Sequence, residues 1–148
     1  MAENESKGLY GHKIFFLYPS RYFQTDMIER LHTLEYEVYI IQDLKNVKNI
    51  LFKNRDSILY VNLDNYFNTA SWINYVKTLE EIDSYASIKF GFITERADSA
   101  TLKMIEVQTR HEGGILKFED NEEENLRTLI KQLDTLDARG RRQYVRAN

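Results

Sequence analysis

Five short apolar runs, each followed by a stretch whose apolar residues recur at helical spacing, constrain this chain more than any other feature. Lys13 opens the first run, Ile14 to Tyr18, which stops at Pro19, the only proline present. A continuous run of this length suits a strand buried on both faces. Between Arg21 and Tyr36, the residues Phe23, Met27, Leu31 and Leu34 mark one side of an amphipathic helix. Glu37 to Gln42 is rich in β-branched and aromatic residues, and Asp43 is placed to cap a helix carrying Leu44, Val47, Ile50 and Leu51. Ser57 to Leu63 reads as a third strand, followed by a helix lined by Ile73, Val76, Leu79 and Ile82. Ile88 to Thr94 is a fourth strand. The helix after it, roughly Ser99 to His111, is anchored by Leu102, Met104 and Ile105, with Gly113 and Gly114 as its stop. Ile115 to Phe118 is a brief fifth strand. Asn121 and Glu124 then form a capping box ahead of the stripe Leu126, Leu129, Ile130, Leu133 and Leu136.

Parallel strands need crossover connections, and helices supply them on both faces of the sheet. The expected fold is therefore α/β: a doubly wound, five-stranded parallel sheet of flavodoxin-like order 2-1-3-4-5, with right-handed crossovers. The sequence predicts a disordered N-terminus over 1–10, one α/β domain over 11–138 and a charged linker from 139 to 148.

Several function classes lose support on composition. A formal net charge of -3 argues against a polyanion-binding surface spread over the domain. The absence of cysteine removes disulfides and thiolate metal sites. The longest purely apolar run is far too short to span a bilayer, which predicts a cytoplasmic protein with no membrane partner. His12, His32 and His111 are dispersed, without the spacing of convergent metal ligands, so no metal site is expected. No glycine-rich phosphate loop follows the first strand, and no serine sits in a nucleophile elbow. No catalytic residue is expected.

Ligands of doubly wound sheets bind at the carboxyl ends of the strands. There the chain resembles response-regulator receivers over about residues 11 to 138. Asp64 falls where that family's phosphoacceptor follows strand three, Thr94 where a hydroxyl residue ends strand four, and Lys117 where a lysine ends strand five. The family's acidic pair after strand one is replaced by Tyr18 and Pro19, and Lys117 is followed by Phe118 instead of proline. Aspartyl phosphorylation relies on Mg²⁺ to neutralise the transferred phosphoryl group, and a hard cation would find Asp64 and little else. The resemblance thus implies a pseudo-receiver with vestigial positions Asp64, Thr94 and Lys117. The competing reading is a phosphorylatable receiver using Asp64. Near the end of the third strand, Tyr66, Phe67 and Trp72 are candidates for an exposed aromatic patch that binds a protein partner.

Arg139 to Asn148 holds four arginines and breaks with the acidic chain before it. Arg142 and Arg146 satisfy an Arg-x-x-x-Arg pattern, and the run Arg141 to Arg146 resembles the opening of PilZ domains, which bind cyclic-di-GMP. Guanidinium groups can clamp phosphate bidentately, stack on a purine and donate to guanine N7 and O6. The resemblance implies a PilZN-type, receiver-like domain preceding a PilZ domain, with Arg141, Arg142 and Arg146 as part of an incomplete cyclic-di-GMP site. Cyclic-di-GMP, the following PilZ domain and a protein would then be the partners of the full-length protein. No cofactor is expected for these residues alone. The tail also permits a nucleic-acid-binding module, the least favoured reading.

Overall fold

The computed structural model describes residues 13–17, 25–64, 67–82, 87–95 and 98–147, with the side chains of 25, 26 and 137–147 excepted. The expected disordered segment 1–10, Tyr18, Pro19, Phe23 and Tyr66 lie outside the described residues, as do the side chains of Arg141, Arg142 and Arg146. In chain order the elements are β1 (Lys13–Leu17), α1 (Thr25–Thr33), β2 (Glu37–Ile41), a 3-10 turn (Leu44–Asn46), α2 (Val47–Lys53), β3 (Ser57–Asn62), α3 (Thr69–Glu80), β4 (Lys89–Thr94), α4 (Ser99–Gln108), β5 (Ile115–Lys117) and α5 (Glu122–Ala147).

The strands pair in parallel in the order β2-β1-β3-β4-β5, as the alternation of elements predicts. Successive side chains along a strand point to opposite faces, which divides the core in two. Ile14, Phe16, Ile58, Tyr60, Ile93 and Leu116 face one side, where Met27 and Leu31 of α1 and Leu126, Leu129, Leu133 and Leu136 of α5 cover them. Phe15, Leu17, Leu59, Val61, Phe90 and Phe92 face the other, beneath Val47 and Leu51 of α2, Trp72, Ile73, Val76 and Leu79 of α3, and Ile105 of α4.

Short polar residues set the helix starts by accepting backbone N–H groups that would otherwise lack partners. The Asn68 side chain accepts from Ser71 N at 2.8 Å, Asp98 from Thr101 N at 3.0 Å and Asn121 from Glu124 N at 3.2 Å. Asp43 is also a cap, accepting from Lys45 N, but of the 3-10 turn that precedes α2.

Three expectations need correction. Leu34 is not in the stripe of α1 but 49% exposed, because the helix stops at Thr33 in a Schellman turn. Glu35 N donates to His32 O at 2.9 Å and Tyr36 N to Leu31 O at 3.1 Å, with Glu35 left-handed at φ 70. Gly113 and Gly114 do not end α4, which closes at Thr109; they form the turn into β5, with Gly114 at φ 86. Gly113 is needed for contact, since a Cβ there would stand 3.1 Å from Gly91 Cα. Trp72 is fully buried and Phe67 half-buried, so they form no exposed patch: α3 turns Trp72 onto the sheet and Phe67 packs edge-on against it at 4.9 Å. The backbone of α5 is helical through Ala147, into the segment expected as a linker. Arginine, glutamine and alanine are good helix formers, and no proline intervenes.

Candidate functional site

The carboxyl edge of the sheet is built by the ends of β3, β4 and β5. Asn62 closes β3 almost completely buried, and its Oδ1 accepts from Asp64 N at 2.9 Å, turning the chain so that Asp64 leans toward β4. Leu63 N still donates to Ile93 O at 3.0 Å, which keeps the two strand ends in register.

Asp64 is then bound through both carboxylate oxygens. The Thr94 hydroxyl donates to Oδ1 at 2.9 Å and the Glu95 backbone N–H donates to Oδ2 at 2.6 Å. Thr94 is itself buried, and its carbonyl accepts from Phe118 N at 2.9 Å. The end of β5 is linked in turn to α5. Asn125, buried in the first turn of that helix, accepts from Glu119 N and donates to Glu119 O, both at 2.8 Å. One continuous set of hydrogen bonds therefore runs from β3 through β4 and β5 to α5.

The structure thus brings Asp64 and Thr94 together, as their sequence positions suggested. Lys117 pairs with Thr94 in the β4–β5 register, but its ammonium lies 3.8 Å from Glu119, and both side chains are more than half exposed. It forms no part of the Asp64 cluster. Among the described residues, no three histidine, aspartate or glutamate side chains converge to hold a metal ion.

Two contributors escape sequence reasoning. Glu95 acts through its backbone, which no side-chain pattern displays. The other is Asn62, signalled only by an amide ending an apolar strand; its Nδ2 is buried without a hydrogen-bond partner.

Elsewhere, Arg110 at the opposite end of the sheet donates from Nε to Glu112 at 2.7 Å and from a terminal nitrogen to Ile88 O at 2.7 Å, while its backbone N–H donates to Glu80 at 2.8 Å. Burial pushes the Glu80 carboxyl above its ordinary pKa, against the opposing pull of the Arg110 backbone N–H and guanidinium. Between α1 and α5 runs an open groove of about 690 Å³, bridged by the Arg30–Glu123 ion pair. The hydrogen bond from Arg30 holds Glu123 below the usual carboxylate range.

Among the described residues no helix is long and apolar enough to cross a membrane. In comparisons with known proteins, no family model, no curated protein and no solved structure matches the chain.

Proposed function

We propose that this chain is a non-catalytic regulatory and protein-interaction domain of a cyclic-di-GMP signalling protein, a receiver-like α/β frame that works with a PilZ domain. The observation that carries the non-catalytic reading is the state of Asp64. Its two oxygens already hold the end of β4 through Thr94 and Glu95. Those bonds leave acceptor sites free, but a carboxylate that attacks phosphorus also needs cations beside it to neutralise the developing charge. Here Lys117 is turned to Glu119, and the sequence has Tyr18 and Pro19 where a receiver carries its acidic pair. Asp64 serves instead as a latch between two strand ends, a structural use of a position that receivers use chemically.

The PilZ part of the reading is supported by Arg141, Arg142 and Arg146, whose spacing and flanking residues suit a phosphate and guanine clamp. Two arginines without a fixed pocket lose side-chain freedom on binding and give little affinity. The α/β frame then contributes regulation by docking, and the ligand site is completed by the PilZ barrel.

Two measurements test this. Incubation with acetyl phosphate or beryllofluoride and Mg²⁺ gives no stoichiometric adduct; a mass shift abolished by Asp64→Asn would overturn the non-catalytic reading. Calorimetric titration with cyclic-di-GMP gives weak or undetectable binding to residues 1–148 and specific binding once the chain is extended through the PilZ barrel, lost in Arg142→Ala and Arg146→Ala. Tight binding by residues 1–148 alone, or arginine-independent binding by the longer protein, refutes the assignment.

A further inference from the structure

Away from the carboxyl edge, where the edge strand β2 meets α2, lies an open cavity of about 370 Å³ lined by Lys13, Phe15, Tyr39, Ile40, Ile41, Ile50 and Asn54. The β1–β2 register sets Phe15 beside Tyr39, and alternation puts Lys13, Phe15, Tyr39 and Ile41 on one face of the sheet. Ile50 and Asn54, four residues apart, come from one side of α2 and the turn that follows it.

The site is organised before anything binds. The Tyr39 ring stacks on Phe15 with centroids 5.4 Å apart and planes at 26°; Phe15 is buried, whereas Tyr39 is 46% exposed. The Tyr39 ring is thus held against the core by Phe15 while nearly half of the residue remains exposed. The Lys13 ammonium stands 5.9 Å from the Tyr39 ring centroid and donates to Asn54 Oδ1 at 2.9 Å. Asn54 is held in turn by donating from Nδ2 to Ile50 O at 2.8 Å. Among the described residues Lys13 forms no ion pair, so its charge has no anionic partner and two of its three N–H donors remain.

A fixed cation beside a half-exposed aromatic ring, with isoleucines around them, selects for a particular chemistry. We propose that this cavity binds a small molecule that joins a flat ring to an anionic group. The ring lies on Tyr39 between Ile41 and Ile50, and the anion takes the free donors of Lys13. The volume falls in the range of small-molecule sites, about 300 to 1,000 Å³, near its lower end, which suits one or two fused rings. An ionised hydrogen bond and an aromatic contact each add enough to make the anion and the ring separately measurable.

The probes are 2-naphthoate and 2-naphthyl phosphate, which share the ring and differ in the anion, with neutral 2-naphthalenemethanol as the control. In two-dimensional amide spectra of residues 1–148, one or both anions produce saturable shifts at Lys13, Tyr39, Ile41, Ile50 and Asn54, and the tighter of the two identifies the anionic group. The alcohol binds at least about tenfold more weakly, as expected when a charge-assisted hydrogen bond is lost. Lys13→Met, which keeps the stem, and Tyr39→Val, which keeps the strand, each weaken anion binding by a similar factor, while Lys13→Arg retains it. Unchanged amide positions elsewhere show that the variants are folded. The proposal is overturned if neither anion gives saturable shifts at these amides by about 5 mM, well above the affinities of useful sites. Equal binding of the alcohol, or unchanged binding by the Lys13→Met and Tyr39→Val variants, also overturns it. None of these readouts involves Asp64 or the arginine tail.

Discussion

At the centre of the sheet, Gly91 of β4 lies under the ring of Tyr60 in β3, and the fit leaves no room for a methyl group. A Cβ at position 91 would stand 2.4 Å from Tyr60 Cε1, 2.6 Å from Cδ1 and 3.1 Å from Gly113 C. The ring cannot easily withdraw. It is 1% exposed, stacks on Phe16 at 5.4 Å, and is pinned at its far end by a hydrogen bond from its hydroxyl to Gly113 O at 2.8 Å. Backbone strain plays no part, since Gly91 does not have positive φ. Gly91→Ala therefore acts through overpacking, with an expected cost of about 1 to 3 kcal/mol. Urea unfolding followed by the fluorescence of Trp72, the single buried tryptophan, measures it. Repeating the substitution in a Tyr60→Leu background removes the clashing ring, and the cost of Gly91→Ala should fall by at least about 1 kcal/mol, the coupling seen between residues in contact. If Gly91→Ala changes stability by less than about 0.5 kcal/mol, or costs the same in both backgrounds, the account of this packing is wrong.

Three further outcomes follow from the same structure. Leu129, fully buried where α5 meets the sheet, should cost about 2 to 5 kcal/mol when truncated to alanine, as read by the same unfolding assay. Glu35→Gly should stabilise the fold by up to about 1 kcal/mol, because glycine relieves the left-handed strain at the end of α1; a destabilised variant would show that the Glu35 side chain contributes more than its backbone costs. Glu80 has its pKa raised by burial, so its proton is held more tightly in the folded state, and the stability this brings is present below the ordinary carboxylate pKa and lost as pH rises through the raised one. Glu80→Gln should accordingly gain on the wild type as pH rises from about 4 to 7, the window above the ordinary value, and a difference that does not change with pH would contradict the burial argument.

The strands and helices were legible from period, and their order followed from the crossover rules of doubly wound sheets. Runs such as Ser57 to Leu63 are largely apolar and Ser57 to Asn62 is buried throughout, since both faces of a parallel strand are covered, and the stretches between such runs change to helical spacing. Local punctuation was less legible where one residue type serves several physical ends. Gly113 and Gly114 have the composition of a helix stop, yet Gly113 is there so that the turn can approach Gly91, a requirement set by a strand more than twenty residues earlier. The end of α1 hides for the opposite reason: the left-handed position that usually announces itself with glycine is occupied by Glu35. Trp72 and Phe67 follow a strand end, where a surface patch is expected, but Trp72 belongs to the same buried side of α3 as Ile73, Val76 and Leu79, and Phe67 packs against it.

At the carboxyl edge, Asp64 and Thr94 stood out through the resemblance to receivers, and they meet because a doubly wound sheet aligns the ends of neighbouring strands whatever residues they carry. Position could not say what the carboxylate does there. That depends on the Glu95 N–H, which is a property of the backbone, and on the choice of Lys117 between Asp64 and Glu119, two residues along its own chain. A short-range ion pair forms with little ordering, whereas reaching across the edge would immobilise a long side chain, at a cost of about 1.5 to 2 kcal/mol for a fully ordered lysine. With Lys117 drawn to Glu119, Asp64 is left to neutral donors from β4, and those donors hold it as a tie between strands. The Lys13 cavity was less legible still. Its cation, its aromatic face and the amide that anchors the cation come from β1, β2 and the end of α2, and each alone reads as an ordinary surface or edge residue. Only the register that sets Phe15 beside Tyr39 and the hydrogen bond from Lys13 to Asn54 make them one site.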